Sequence, residues 1–111
     1  MSQHAAHAVH LTLDTFATSV PAKGVALLDF TAAWCPPCKA IAPHVDALAT
    51  ELDGDVFVAK VDIDENPELA ERFNVMSVPT LIFLRDGQVV ERVVGARPKS
   101  AIRASIEAAR G

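Results

Sequence analysis

The chain has 111 residues, half of them apolar and 22% charged, a balance that excludes a disordered tail and supplies one compact core. Acids outnumber bases 14 to 10 with no run of Lys or Arg, which argues against nucleic acid as a partner. No segment approaches bilayer length, and Met1 to His10 lacks the basic-then-apolar order of an export signal, so a cytosolic protein without a membrane anchor is expected.

Residues 8 to 11 read as a short strand, after which Thr12 can cap a helix with Phe16 and Val20 on one face. Pro21 to Gly24 ends that helix. Val25 to Phe30 is apolar throughout except for Asp29, the pattern of a central strand covered on both faces, which makes the carboxylate conspicuous. From Cys38, apolar Ile41, Val45, Leu48 and Leu52 recur at helical spacing, with Pro43 inside the helix as an expected kink. Asp53-Gly54-Asp55 is a turn, and Val56 to Ile63 alternates as a strand that carries Lys60.

Asn66-Pro67-Glu68 combines a capping side chain, a first-turn proline and an acid at the positive end of the dipole, and predicts a helix start. Leu69 and Phe73 form its apolar face, and Asn74 can take the left-handed stop position. Thr80 to Leu84 and Gln88 to Val94 read as strands joined through Arg85-Asp86-Gly87, a hairpin signal. Pro98 opens a last helix with Ile102, Ile106 and Ala109 on one side. The order βαβαβαββα predicts an α/β domain over residues 1–111, a single mixed sheet with helices on both faces, and residues 1–7 as a flexible arm.

Cys35 and Cys38 are the only cysteines, too few for the disulfide framework of a small secreted domain. Cys35 stands where a helix begins, and unpaired N–H donors and the dipole there favour a thiolate. Cys38 lies about one turn onward and can close a ring with it. The rival reading is zinc, but structural zinc takes about four ligands. His4, His7 and His10 lie in the arm region and His44 is isolated on the helix, so neither a metal nor a bound cofactor is expected. Trp34, the only tryptophan, sits in a loop beside Cys35, where it could be ordinary packing or a shield and docking surface.

Asp29-Phe30, Trp34-Cys35-Pro36-Pro37-Cys38-Lys39, Pro43, Val78-Pro79-Thr80, Gly87 and Val94-Gly95, in that order, resemble the thioredoxin family over nearly the whole chain. The resemblance implies the thioredoxin fold and a protein-disulfide reductase. In that reading Cys35 attacks a client disulfide and Cys38 resolves the mixed intermediate, leaving Cys35–Cys38 as the redox disulfide. A flavin- and NADPH-dependent thioredoxin reductase would regenerate the dithiol, and a monomer is expected. Asp29 takes the place of the family's buried acid and Lys60 that of its basic partner. Pro79 is expected to be cis, with the Val78 backbone open to an extended client, and Trp34, Met76 and Gly95 beside it as an apolar docking patch.

Each assignment has a plainer counterpart. Asp29 could be a strand-end residue bonded to backbone, Lys60 a solvent-facing strand lysine, and Pro79 a proline that starts a strand. Pro36 stands where the commonest family form has Gly, and Thr31 where many members have an aromatic residue. Two prolines remove two N–H donors near Cys35, which leaves its thiolate less stabilised, and stiffen the loop, which favours closure of the ring. A disulfide-forming or isomerising oxidant on the same fold, or a binding subunit with incidental redox chemistry, are the alternatives.

Overall fold

The strand Val25 to Thr31, every residue of it buried except the last, lies at the centre of a five-stranded sheet. The structure, a computed structural model, describes residues 8–111; the reading of residues 1–7 as an arm, with His4 and His7, lies outside the described residues. The elements are β1 (Val9–His10), α1 (Leu13–Ser19), β2 (Val25–Thr31), α2 (Pro36–Glu51) and β3 (Val56–Asp62), followed by α3 (Pro67–Arg72), β4 (Thr80–Arg85), β5 (Gln88–Val94) and α4 (Lys99–Arg110). Their sheet order is β1-β3-β2-β4-β5. β3 runs parallel to both β1 and β2, whereas β4 is antiparallel to β2 and β5 to β4, so the sheet is mixed.

The alternation of β2 divides the core into two layers. Val25 and Leu27 pack with Ile41, Val45 and Leu48 of α2 and with Ile102 and Ile106 of α4. Ala26, Leu28 and Phe30 face the other way, against Phe16 of α1 and against Leu69 and Phe73 around α3. Burial of each large side chain stabilises the fold by roughly 1.5–3 kcal/mol. By the same two-residue period, Asp29 is turned toward the α2 side of the sheet.

Local signals account for most boundaries. Thr12 and Thr15 cap α1 reciprocally, each side-chain hydroxyl accepting from the other's backbone N–H, at 3.2 Å and 2.9 Å. The β4–β5 loop is shorter than predicted: Arg85 already pairs with Gln88, and Asp86 and Gly87 alone make the turn, both at positive φ (51° and 81°). Two left-handed residues match the twist of a tight hairpin. Asn74 takes the left-handed position after α3, at φ 56°.

Asn66 does not do what its position in sequence predicts. It makes no side-chain cap on α3. Its amide is instead buried and reaches across to the start of α1, accepting from the Leu13 N–H at 3.1 Å and donating to the Leu11 and Asp62 carbonyls. The bond to the Leu11 carbonyl is buried, where a backbone acceptor needs a partner, and this requirement prevails over the local cap. Among the described residues, no helix is long and apolar enough to cross a membrane.

Candidate active site

The site gathers where β2 ends and α2 begins. Pro36 and Pro37 occupy the first helical positions of α2, and neither has an N–H to offer. The first free donor is that of Cys38, and it points at the sulfur: Cys38 N–H lies 3.2 Å from Cys35 Sγ, which makes Cys35 the helix N-cap. Cys35 and Cys38 are joined as a disulfide, with Cα atoms 5.3 Å apart. Both cysteines are buried in this form and cluster with Ala32, Ile63 and Val78.

The segment before β4 covers the sulfur from the other side. The Val78–Pro79 peptide bond is cis, and the Val78 carbonyl oxygen lies 3.8 Å from Cys35 Sγ. The Gly95 N–H donates to the Pro79 carbonyl at 2.9 Å, tying the end of β5 to this loop. Gly95 has φ 96°, a conformation side chains rarely adopt. Of the expected docking residues, Trp34 (64%) and Met76 (87%) are strongly exposed, Val78 and Gly95 are half-buried, and Pro79 is buried. Pro79 therefore lies beneath the expected docking residues and does not itself face solvent.

Trp34 is held, not loose. Its indole N–H donates to the Asp64 carboxylate at 2.7 Å. Asp64 is in turn placed by Asp62, whose carboxylate accepts from the Asp64 and Glu65 N–H groups at 2.8 Å and 3.1 Å. The sequence reading did not single out either acid, although Asp-x-Asp at a strand end is the signature of such a side-chain-closed turn.

Asp29 lies in the sheet with 2% exposure, and its Oδ1 has no hydrogen-bond partner among the described residues. The plainer reading, a carboxylate satisfied by backbone, does not describe that oxygen. Burial pushes the carboxyl up to about 7; the Lys60 charge opposes this and the Asp46 charge adds to it. Lys60 is the register neighbour of Asp29 on β3, and its side chain is only 12% exposed, so it is not a solvent-facing lysine. Its ion pair, however, is with Asp46 of α2, at 3.1 Å. Sequence reasoning missed Asp46, whose only signal was its place eight residues after Cys38.

A cleft of about 210 Å³ opens beside the disulfide, lined by Cys38, Lys39, Ala42, Lys60, Asp62 and His10 among others. His44 is half-buried on α2, away from this lining. Among the described residues, no group of three or more His, Cys, Asp or Glu side chains is arranged to hold a metal ion.

The family model described as Thioredoxin matches residues 7–108. The chain is 48% identical over 95 residues to a thioredoxin of Mycobacterium bovis, covering 85% of this chain and 82% of that one. It is 51% identical over 84 residues to a thioredoxin of Staphylococcus saprophyticus, covering 76% and 81%. Among solved structures, a mutant thioredoxin from Halobacterium salinarum superposes with a TM-score of 0.86 at 34% identity, over 100% of this chain and 97% of that one.

Proposed function

This chain belongs to the thioredoxin family and is a thiol–disulfide oxidoreductase, and from that premise we propose a division of labour among its residues. The observation that carries it is the Cys35–Cys38 disulfide seated at the start of α2, with the Cys38 N–H aimed at Cys35 Sγ. In the dithiol form that donor and the helix dipole favour a thiolate on Cys35.

The Cys35 thiolate attacks one sulfur of a client disulfide; the other client sulfur leaves as a thiolate and takes a proton. Cys38 then gives its proton to the Asp29 carboxylate and attacks Cys35 Sγ. The Cys35–Cys38 bond forms, the client–Cys35 bond breaks, and the second client sulfur departs. The client gains two electrons and the Cys35–Cys38 pair loses them. Lys60 is the cation that bears on Asp29, while Trp34, Met76, Val78 and Gly95, with Pro79 beneath them, receive the client.

One feature supports reduction over oxidation as the working direction. A strong oxidant of this chemistry stabilises its reduced thiolate, whereas Pro36 and Pro37 leave Cys35 Sγ with a single backbone N–H contact among the described residues, that of Cys38. Dithiol reductants operate where thiols are kept reduced, so the reading places this protein in the cytoplasm, as a one-domain monomer. Disulfide-bearing proteins are its clients and a flavin- and NADPH-dependent thioredoxin reductase its electron donor. The test is reduction of insulin disulfides by the wild type and by Cys35→Ser and Cys38→Ser variants. Turnover in the wild type and its loss in both variants is expected; turnover that persists in Cys35→Ser overturns the reading.

A further inference from the structure

Asp29 and Lys60 are register partners on adjacent parallel strands, so their side chains leave the sheet on the same side, toward α2. An unpartnered buried carboxylate beside a mostly buried ammonium would ordinarily be expected to pair with it. Here the ammonium is engaged elsewhere: Lys60 Nζ is 3.1 Å from Asp46 Oδ1, while Asp29 Oδ1 has no hydrogen-bond partner among the described residues.

Asp46 is placed for this by the helix. Cys38, Ala42 and Asp46 follow one another at every fourth residue of α2 and so form one row along it. Cys38, Ala42 and Lys60 line the same cleft, which puts that row over β3. The charged or titratable groups around this space are Lys60 and Asp62 from β3, Cys38, Lys39 and Asp46 from α2, and His10 from β1. β4 sets only Leu81 opposite Asp29, and the basic residues Lys99 and Arg103 of α4 are taken by Glu51.

We propose that Asp46 is a positioning residue of the reaction: by holding the Lys60 ammonium it keeps that charge from pairing with Asp29, and so leaves Asp29 able to accept the proton of Cys38. One lysine thus serves two carboxylates of unequal exposure. The outer one, 39% exposed, holds the lysine while hydrated, and the inner one is left proton-hungry. Were Lys60 to pair with Asp29 instead, the carboxylate would be satisfied as an anion and would take up a proton less readily.

The inference rests on the proposed role of Asp29, so the test reads the Asp29 carboxyl itself, by NMR titration of the oxidised full chain. Asp46→Asn is expected to lower the titration midpoint by roughly one pH unit, and Asp46→Glu, which keeps the charge, to restore it. In a Lys60→Met background the Asp46→Asn shift should fall to less than half. An unmoved midpoint in Asp46→Asn overturns the proposal, and so does a shift undiminished in Lys60→Met, because Asp46 would then act on Asp29 without the lysine. Failure of the underlying reading looks different: stopped-flow resolution of the mixed disulfide would proceed at the wild-type rate in Asp29→Asn.

Discussion

The Trp34 indole N–H and the Asp64 carboxylate meet at 2.7 Å, joining the loop before Cys35 to the loop after β3, 30 residues away. A side chain that is 64% exposed is thereby held in one orientation without being buried. An exposed aromatic docks a partner more cheaply when its rotamer is set beforehand. Asp64→Ala should therefore raise KM for protein disulfides several-fold with little change in kcat, and Asp64→Asn, which still offers an acceptor oxygen, should do less. Because Trp34 is the only tryptophan, its fluorescence anisotropy should fall in Asp64→Ala; an unchanged anisotropy would show that the bond does not restrain the ring.

Cys35 and Cys38 are given unequal tasks, and the inequality can be read chemically. Cys38→Ser removes the sulfur that resolves the intermediate, so mixed disulfides should accumulate on Cys35. Non-reducing gels of a cell extract passed over this variant should show them, and Cys35→Ser should show none. Equal trapping by both variants would contradict the assigned order of attack.

Asp29 ties function to a pH-dependent loss of stability. Folding lifts its carboxyl from an ordinary 3.8 to about 7, so between those values the native state keeps a proton that the unfolded chain releases. This favourable contribution is full below pH 4 and is lost as the pH rises through 7. Asp29→Asn should consequently gain on the wild type as pH rises, by a few kcal/mol between pH 4 and 9. Urea unfolding at the two pH values measures it. The amide's own burial cost is common to both and cancels. A pH-independent difference between the proteins would mean that the carboxyl titrates normally.

Asn66 is a polar brace between the loop before α3 and the start of α1. Asn66→Ala leaves the Leu13 N–H and the Leu11 carbonyl without this partner, and should cost about 2–4 kcal/mol in urea unfolding at constant m. A loss below about 0.5 kcal/mol, the size expected of an ordinary surface change, would show that water replaces the amide.

The sequence determined by itself whatever depends on neighbours along the chain. The apolar run of Val25 to Phe30, the three- and four-residue recurrence from Ile41 to Leu52 and the Asp-Gly hairpin signal each follow from the limits of a single element, and β2, α2 and the β4–β5 turn lie there, the turn one residue shorter than the predicted loop. The cysteine pair at a helix start was legible for the same reason, since three residues place it. What only the tertiary structure decided is how polar groups are shared between elements. Asn66 abandons a local cap for Leu13, 53 residues away, Trp34 finds Asp64, and Lys60 turns from its strand neighbour Asp29 to Asp46 of the covering helix. A buried donor or charge is satisfied by whichever group the sheet order and helix docking bring within hydrogen-bond reach. No local period encodes that choice, because it exists only once β3 lies beside β2 and α2 lies across them.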